Sequence, residues 1–411
     1  MIEIRGSKLY IGGFYAGELA ERFGTPLYVY DAEVIERNYR ILVESFEYKP
    51  LEILYSVKAN NNIEILRIIR DLGGGLDVVS PFEALLGVRL GFSSDKILFT
   101  GSSVSDEEMR FVRGDLGIMI NIDSLSQLRR YGRIFPETEI SLRLNLMIGA
   151  GHHSYTVTGG ATKFGIQISE IDRAVEIARE NKLKISGLHT HIGSGVMSIE
   201  PYTSAMRKLL EIASRFRDLD FIDIGGGFGV PYRSDEKPLD IKLLGSTISR
   251  MLIESGLGDG VLKLRIEPGR FLTAEAGVLL VRVIDVKKIE ENGGLRIFVG
   301  VDSGMNHLIR PALYGSYHEI ISISRAGEPP EMIADIVGNI CESGDVIGLR
   351  RPLPRIEEGD ILAVLNTGAY GYSMASNYNM RPKPAEIVIY GGRIRLTRRR
   401  ESFEDLIRLF M

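Results

Sequence analysis

Between residues 52 and 266 the chain keeps switching its hydrophobic period, and this alternation limits its fold more than any other feature. Short apolar, strand-like runs fall at 52–57, 76–79, 97–100, 118–122, 139–144, 184–189, 221–224 and 262–266. Most are separated by stretches with apolar residues at helical spacing, clearest in Ile63–Leu72, Pro81–Leu90, Ile171–Asn181 and Tyr202–Phe216. Pro81 suits the first position of a helix, and Gly73-Gly74-Gly75 ends the helix before it. Strands that alternate with helices pair in parallel. A series of this length, roughly 220–250 residues, predicts a (β/α)8 TIM barrel. A doubly wound open sheet is the alternative.

After Gly277 the texture changes. Gly277–Lys287, Arg296–Val301, Ile320–Ser324, Met332–Val337, Ile361–Leu365 and Ala385–Val388 read as strands with few helices between them. Tyr390-Gly391-Gly392-Arg393 reads as a hairpin turn, and Ser402 as the N-cap of a last helix near 402–409. Leu9–Ile11 and Leu27–Tyr30 also read as strands, with a helix over Ala16–Phe23 between them. The 411 residues are too many for one ordinary core. The expected division is a barrel domain over 30–275 and a β-rich domain made of 1–29 and 276–411.

Charge and cysteine usage remove several function classes. Fifty Lys and Arg against 54 Asp and Glu leave −4, so no basic field advertises nucleic acid. Thr397-Arg398-Arg399-Arg400-Glu401 could be a phosphate patch, but a solvated edge is the better reading. One cysteine, Cys341, allows no intrachain disulfide and points to a reducing compartment. No signal-peptide pattern opens the chain and no apolar run is long enough to span a bilayer, so a cytoplasmic protein is expected.

In a barrel of this kind the chemistry lies at the C-terminal ends of the strands. Those ends carry Lys58, Asp77, Thr100, Asp123, Arg143, His189-Thr190-His191, Gly225-Gly226-Gly227 and Glu267. A lysine just past an apolar strand can be desolvated and attack carbonyls, which is how a lysine holds pyridoxal phosphate. Taken alone, Lys58 would be a solvated loop residue. Successive glycines let backbone N–H groups converge on an anion, although for a lone glycine run a tight turn is the better reading. Val230 stands where the third glycine of GxGxxG belongs, so no dinucleotide fingerprint is present. Glu267 can pair with a protonated pyridine nitrogen, and Arg270 can reach a phosphate or a carboxylate. None of the six histidines has metal-ligand spacing, and no metal is expected. Cys341 sits in a polar loop beside Glu342 and Asp345, which suits a thiol that exchanges protons.

Tyr55-Ser56-Val57-Lys58-Ala59-Asn60 resembles the cofactor-lysine motif of fold-type III pyridoxal-phosphate enzymes, the alanine racemase-like barrels. His189 to Ser194, Asp223 to Gly227, Glu267-Pro268-Gly269-Arg270 and Cys341 to Asp345 look like the basic amino acid decarboxylase branch. Met305 to Tyr314, Gly368 to Met374 and Ser376-Asn377-Tyr378-Asn379 before Arg381-Pro382 are most similar to the diaminopimelate decarboxylases. The resemblance implies decarboxylation of meso-2,6-diaminopimelate to L-lysine and CO2, with pyridoxal 5'-phosphate as cofactor. It implies that Lys58 carries the cofactor as a Schiff base, that His191 stacks on its ring and that Glu267 holds its nitrogen protonated. Asp77, Ser194, Gly225, Gly226, Gly227, Pro268, Gly269, Arg270 and Tyr370 would complete the cofactor site. Arg270, Arg310, Tyr314, Glu342 and Tyr370 would grip the unreactive end of the substrate. Cys341 would be the proton donor, reaching into the partner's site in a homodimer. Asn145 to His153 is less proline-rich than the family pattern.

Three rival readings remain at this point. An ornithine, arginine or carboxynorspermidine decarboxylase on the same fold would call for an acidic pocket where Arg310 stands. A racemase would need two opposed proton carriers and no Cys341. A non-catalytic pyridoxal-phosphate module would have lost the donor or the second domain.

Overall fold

In the computed structural model, which describes residues 2–257, 262–291 and 294–410, all the strand-like runs become strands. They are β1 (Leu51–Ser56), β2 (Gly75–Val78), β3 (Ile97–Phe99), β4 (Met119–Ile122), β5 (Glu139–Asn145), β6 (Lys184–His189), β7 (Phe221–Asp223) and β8 (Lys263–Ile266). Each pairs in parallel with the next, and β8 pairs with β1, so the sheet closes on itself. Closure leaves no edge, and the open-sheet alternative falls away. A two-residue strand, Ile166–Gln167, is added beside β5.

Polar residues just past the strands do two jobs, and the structure separates them. Asn62, Ser80, Ser124 and Asp240 cap the helices Ile63–Asp71, Pro81–Arg89, Leu125–Ile134 and Ile241–Glu254, each accepting a backbone N–H of the first turn. These are structural. Each helix then lays its apolar stripe on the barrel, as Ile65, Leu66, Ile68 and Ile69 do, at about 1.5–3 kcal/mol per fully buried side chain. Inside the ring, Leu54, Leu98 and Phe221 pack together with Met119. Gly187 makes room for them, because a Cβ there would stand 2.1 Å from the Phe221 ring. The interior is therefore filled, and only the rim is left for chemistry.

The chain divides into two units: Arg37–Val230 with Lys237–Phe271, and Met1–Glu36 with Pro231–Glu236 and Leu272–Met411. The divisions expected at 29/30 and 275/276 thus lie at 36/37 and 271/272, and Pro231–Glu236 belongs to the second unit. That unit is built on a sheet ordered 346–353, 332–337, 294–301, 277–291, 27–31, 385–390, 393–398. Strand Leu27–Asp31 lies antiparallel to Gly277–Glu291 and parallel to Ala385–Tyr390, so an N-terminal segment joins the β-rich unit. Lys8–Ile11 instead forms a three-stranded sheet with Ile2–Arg5 and Phe14–Tyr15, while Leu9 and Ile11 enter the same core as Leu27 and Ile387.

Two strands of this sheet had no clear sequence signal: Val346–Leu353 and Arg393–Arg398. Both lie at the ends of the sheet, where charged residues and proline are tolerated and blunt the edge. The arginines of the run 397–401 are tied into the fold and are more than a solvated edge. Arg398 pairs with Glu386 at 2.5 Å, Arg399 pairs with Asp405, and Arg400 donates to the Pro26 carbonyl at 2.7 Å. The hairpin at Gly391-Gly392 has φ of +55° and +69°, the two left-handed residues that a type I′ turn requires. Ser402 caps Phe403–Ile407. Among the described residues no helix is long and apolar enough to cross a membrane.

Candidate active site

Lys58 lies in a single 3-10 turn, Val57–Ala59, directly after β1. Its Nζ donates to Asp77 Oδ2 at 2.7 Å, with the lysine side chain 35% exposed and the aspartate fully buried at the end of β2. Asp77 also accepts from Ser56 Oγ at 2.8 Å and from Thr100 Oγ1 at the end of β3. Burial alone would raise the Asp77 carboxyl; the Lys58 ammonium and these donors outweigh it and hold it at about 2. Lys58 is thus an ion-paired amine aimed by three strand ends, not the isolated desolvated amine that its position suggested.

His191 comes two residues past β6. The Gly226 N–H donates to its Nδ1 at 3.2 Å, which leaves the ring proton on Nε2. Burial, with Lys58 and Arg143 nearby, keeps this imidazole neutral, well below the usual histidine range. The glycine run that supplies the donor has no space for side chains. A Cβ on Gly226 would lie 1.9 Å from the Glu267 carbonyl, and one on Gly227 would lie 2.0 Å from the Gly193 carbonyl. The Gly225 N–H turns inward to Asp223 Oδ1 at 2.8 Å. Two of the three amides therefore serve protein groups instead of converging on an anion.

Glu267 closes β8 and is buried. Its Oε2 lies 3.0 Å from His189 Nε2, whereas its Oε1 is buried and meets no hydrogen-bond partner among the described residues. A buried carboxyl oxygen left bare is costly unless a ligand completes it. After Pro268 and Gly269 comes Arg270, which is buried and donates to Ser194 Oγ from Nε at 3.3 Å and from Nη2 at 3.0 Å. Arg143 and Asp123, also at strand ends, pair with each other at 3.5 Å.

The remaining predicted residues lie in the β-rich unit. Arg310 opens the short helix Arg310–Tyr314 and is 1% exposed. It donates to the Tyr232 hydroxyl at 2.8 Å and to Ser316 Oγ at 3.2 Å. Tyr314 and Tyr370 are half-buried, and Tyr370 sits at φ +58°, a strained conformation for a tyrosine. Cys341 and Glu342 are exposed on the loop after Met332–Val337. Buried Asp345 anchors that loop, accepting from the Met305 N–H at 2.6 Å and the Ile340 N–H at 2.7 Å. Glu342 accepts from the Tyr378 hydroxyl at 2.6 Å, and the Cys341 N–H donates to Asn379 at 2.8 Å.

Residues 32–274 match the family described as pyridoxal-dependent decarboxylase, pyridoxal binding domain. The diaminopimelate decarboxylase of Methanothermobacter thermautotrophicus is 44% identical over 97% of this chain and 95% of its own. The chain belongs to the diaminopimelate decarboxylases. The diaminopimelate decarboxylase of M. jannaschii, solved with L-lysine, superposes at a TM-score of 0.91 with 34% identity, covering 100% of this chain and 98% of that one. A lysine/ornithine decarboxylase from Vibrio vulnificus, solved with putrescine, shares the fold at a TM-score of 0.77 and 24% identity, over 92% of this chain and 97% of its own.

The cofactor of the diaminopimelate decarboxylases, pyridoxal phosphate, fits the donor set here. The rim offers a primary amine, a flat neutral imidazole, a buried carboxylate oxygen still wanting a proton donor, and a guanidinium. Residues that sequence reading left without a role are Ser56, His189, Asp223, Tyr232, Ser316, Tyr378 and Asn379. His189 and Asp223 stand inside quoted motifs, so their strand-end position was the available signal. Tyr232 follows a turn-forming proline, and nothing in its spacing marks it.

Proposed function

We infer that the protein removes one carboxyl group from meso-2,6-diaminopimelate as CO2 and releases L-lysine, using pyridoxal 5'-phosphate. The observation that carries this is the bare buried Glu267 Oε1 in a chain of this family. When bound, the cofactor supplies the electron sink that a carbon losing CO2 requires. Lys58 is its attachment point, and Asp77 holds the amine in place before attachment and after release. His191 would lie against the ring as a neutral group, and Glu267 would keep the ring nitrogen protonated. Ser194, Gly227, Arg270 and Tyr370 would hold the cofactor, largely at its phosphate.

At the distal end of the substrate, Arg310 and Tyr314 take the second carboxylate and Glu342 takes the ammonium. A guanidinium binds a carboxylate bidentately, which a lysine cannot imitate. Arg310 also weighs against ornithine or arginine as substrate, because those lack the second carboxylate. The thiol of Cys341 delivers a proton to the carbon that has lost CO2. The loop 341–345 serves the site of a second copy, so the working form is a homodimer. A single cysteine and the absence of a helix able to cross a membrane among the described residues support a cytoplasmic setting.

The test is to supply the protein and pyridoxal phosphate with meso-diaminopimelate, ornithine, arginine and L-alanine in turn. CO2 and L-lysine in equal amounts from the first are expected. Preferential CO2 release from ornithine or arginine would overturn the substrate assignment.

A further inference from the structure

Behind the Glu267 oxygen assigned to the ring nitrogen lies a cluster that the mechanism above does not use. Glu267, His189 and Asp223 stand at the ends of β8, β6 and β7, and all three are buried. One ligand atom from each lies within 4.8 Å of the others. His189 Nε2 and Glu267 Oε2 are 3.0 Å apart, while His189 Nδ1 and Asp223 Oδ2 find no partner among the described residues. The neighbouring cations are answered elsewhere: Arg143 by Asp123 at 3.5 Å, Arg265 by Glu52 at 2.8 Å and Lys58 by Asp77 at 2.7 Å. His191 is neutral. The cluster must therefore balance its own charge.

We propose, resting on the cofactor reading above, that His189 is a positioning residue. As an imidazolium bonded to Glu267 Oε2 it places a positive charge against that carboxylate, so the proton shared with the cofactor's ring nitrogen stays on nitrogen. Burial would neutralise His189, but the Glu267 charge and the hydrogen bond to it outweigh burial, and the net direction is upward. Burial and the Glu267 charge push Asp223 up to about 8, toward its uncharged acid form. One cation and one anion then remain, a neutral pair in a dry site. Without the imidazolium, Glu267 is a lone buried carboxylate, which gains from taking the proton itself. The ring nitrogen then loses its positive charge, and the electron sink weakens.

The experiment uses holoenzyme loaded with cofactor labelled with 15N at the ring nitrogen. His189→Gln keeps a donor and the volume and removes the charge. At pH 7 the wild-type ring nitrogen should resonate as protonated and that of His189→Gln as unprotonated. Borohydride should still fix cofactor on Lys58 in both, so loss of the cofactor reading is distinguishable from loss of this one. A fall in kcat of about 10- to 100-fold, typical of supporting residues around a site, should come with little change in KM. If the variant does not fold, 15N-histidine labelling of the wild type reads His189 directly. A doubly protonated ring at pH 7.5 supports the proposal and a neutral ring overturns it. A ring nitrogen still protonated in His189→Gln overturns it as well. So does one equivalent of divalent metal in the wild type that the variant has lost, since the same three atoms could hold a cation.

Discussion

The barrel unit and the β-rich unit hold their candidate functional side chains in contrasting states. In the barrel Asp77, His189, Glu267 and Arg270 are all buried, and each is fixed by another residue at or just past a strand end. In the β-rich unit Arg310 is equally buried, but Cys341 and Glu342 stand in the open on a loop anchored at its base by Asp345 and tied at its tip to Tyr378 and Asn379. Electrostatic preorganisation explains the first arrangement: donors aimed before the ligand arrives cost no reorganisation when it does. The exposed thiol suits a group that meets its target only when another surface closes on it.

The largest expected effect tests this division of labour. Lys58→Ala should abolish turnover and leave borohydride nothing to fix, whereas the wild type should be labelled on the Lys58 peptide alone. Cys341→Ala should lose about 10²–10⁴-fold in rate, the range for a general acid, yet keep the label. Mixing the two inactive variants should restore part of the activity through hybrid dimers. Subunit exchange without recovery would end the shared-site reading, and label on another lysine would end the cofactor assignment.

Next in size is a change of preference. An arginine buried opposite a missing carboxylate leaves a charge uncompensated, at roughly 2–5 kcal/mol. That corresponds to about 30- to 5,000-fold in selectivity. Arg310→Ala should therefore cut kcat/KM for meso-diaminopimelate far more than any residual activity on ornithine or lysine. A mutant with unchanged preference would show that Arg310 has only a packing role with Tyr232 and Ser316.

The smallest effect separates the units by pH. In the β-rich unit His307 is buried, with Nε2 donating to the Pro382 carbonyl at 3.1 Å and Nδ1 facing Ser303 Oγ at 3.1 Å. Burial, against that bond to Pro382, holds it at about 4. The unfolded chain binds this proton below about 6.5 and the folded chain does not, so stability falls as pH drops from 6.5 to 4. The whole loss is on the order of 3 kcal/mol from this one residue. Asp77 in the barrel is depressed to about 2, so its contribution is present above about 4 and disappears only below that. Thermal unfolding between pH 7 and 4.5 should slope less steeply in His307→Gln than in the wild type. Parallel curves would mean that His307 does not set the acid sensitivity of its unit.

The legible parts of the fold were those where one period dominates. The barrel strands and their helices follow from alternation, and the rim residues follow from strand ends, since a parallel barrel delivers all those ends to one face. Val346–Leu353 and Arg393–Arg398 escaped because edge strands carry the Arg and Pro that elsewhere argue against a strand. The pairing of Lys58 with Asp77 was not legible either. It depends on register between β1 and β2, where Ser56 stands opposite Asp77, and register is a tertiary fact. Tyr232 reaches Arg310 from 78 positions away, a contact that no local pattern encodes.

The place of Leu27–Asp31 between Gly277–Glu291 and Ala385–Tyr390 has a consequence for how the chain is made. Tyr30 and its hydrogen-bond partner Glu386 are 356 positions apart. A ribosome adding about 5–20 residues per second needs on the order of tens of seconds to cover that distance. Until residues 277–291 are made, an apolar strand, wholly buried in the finished protein, has neither neighbour available, and until residues 385–390 are made it has only one. Residues 37–271, whose strands pair only among themselves, are complete long before. The nascent protein therefore passes through a long stage with a finished barrel and an N-terminal strand still open on the edge that Ala385–Tyr390 later covers, and that stage is where chaperone binding or aggregation would act.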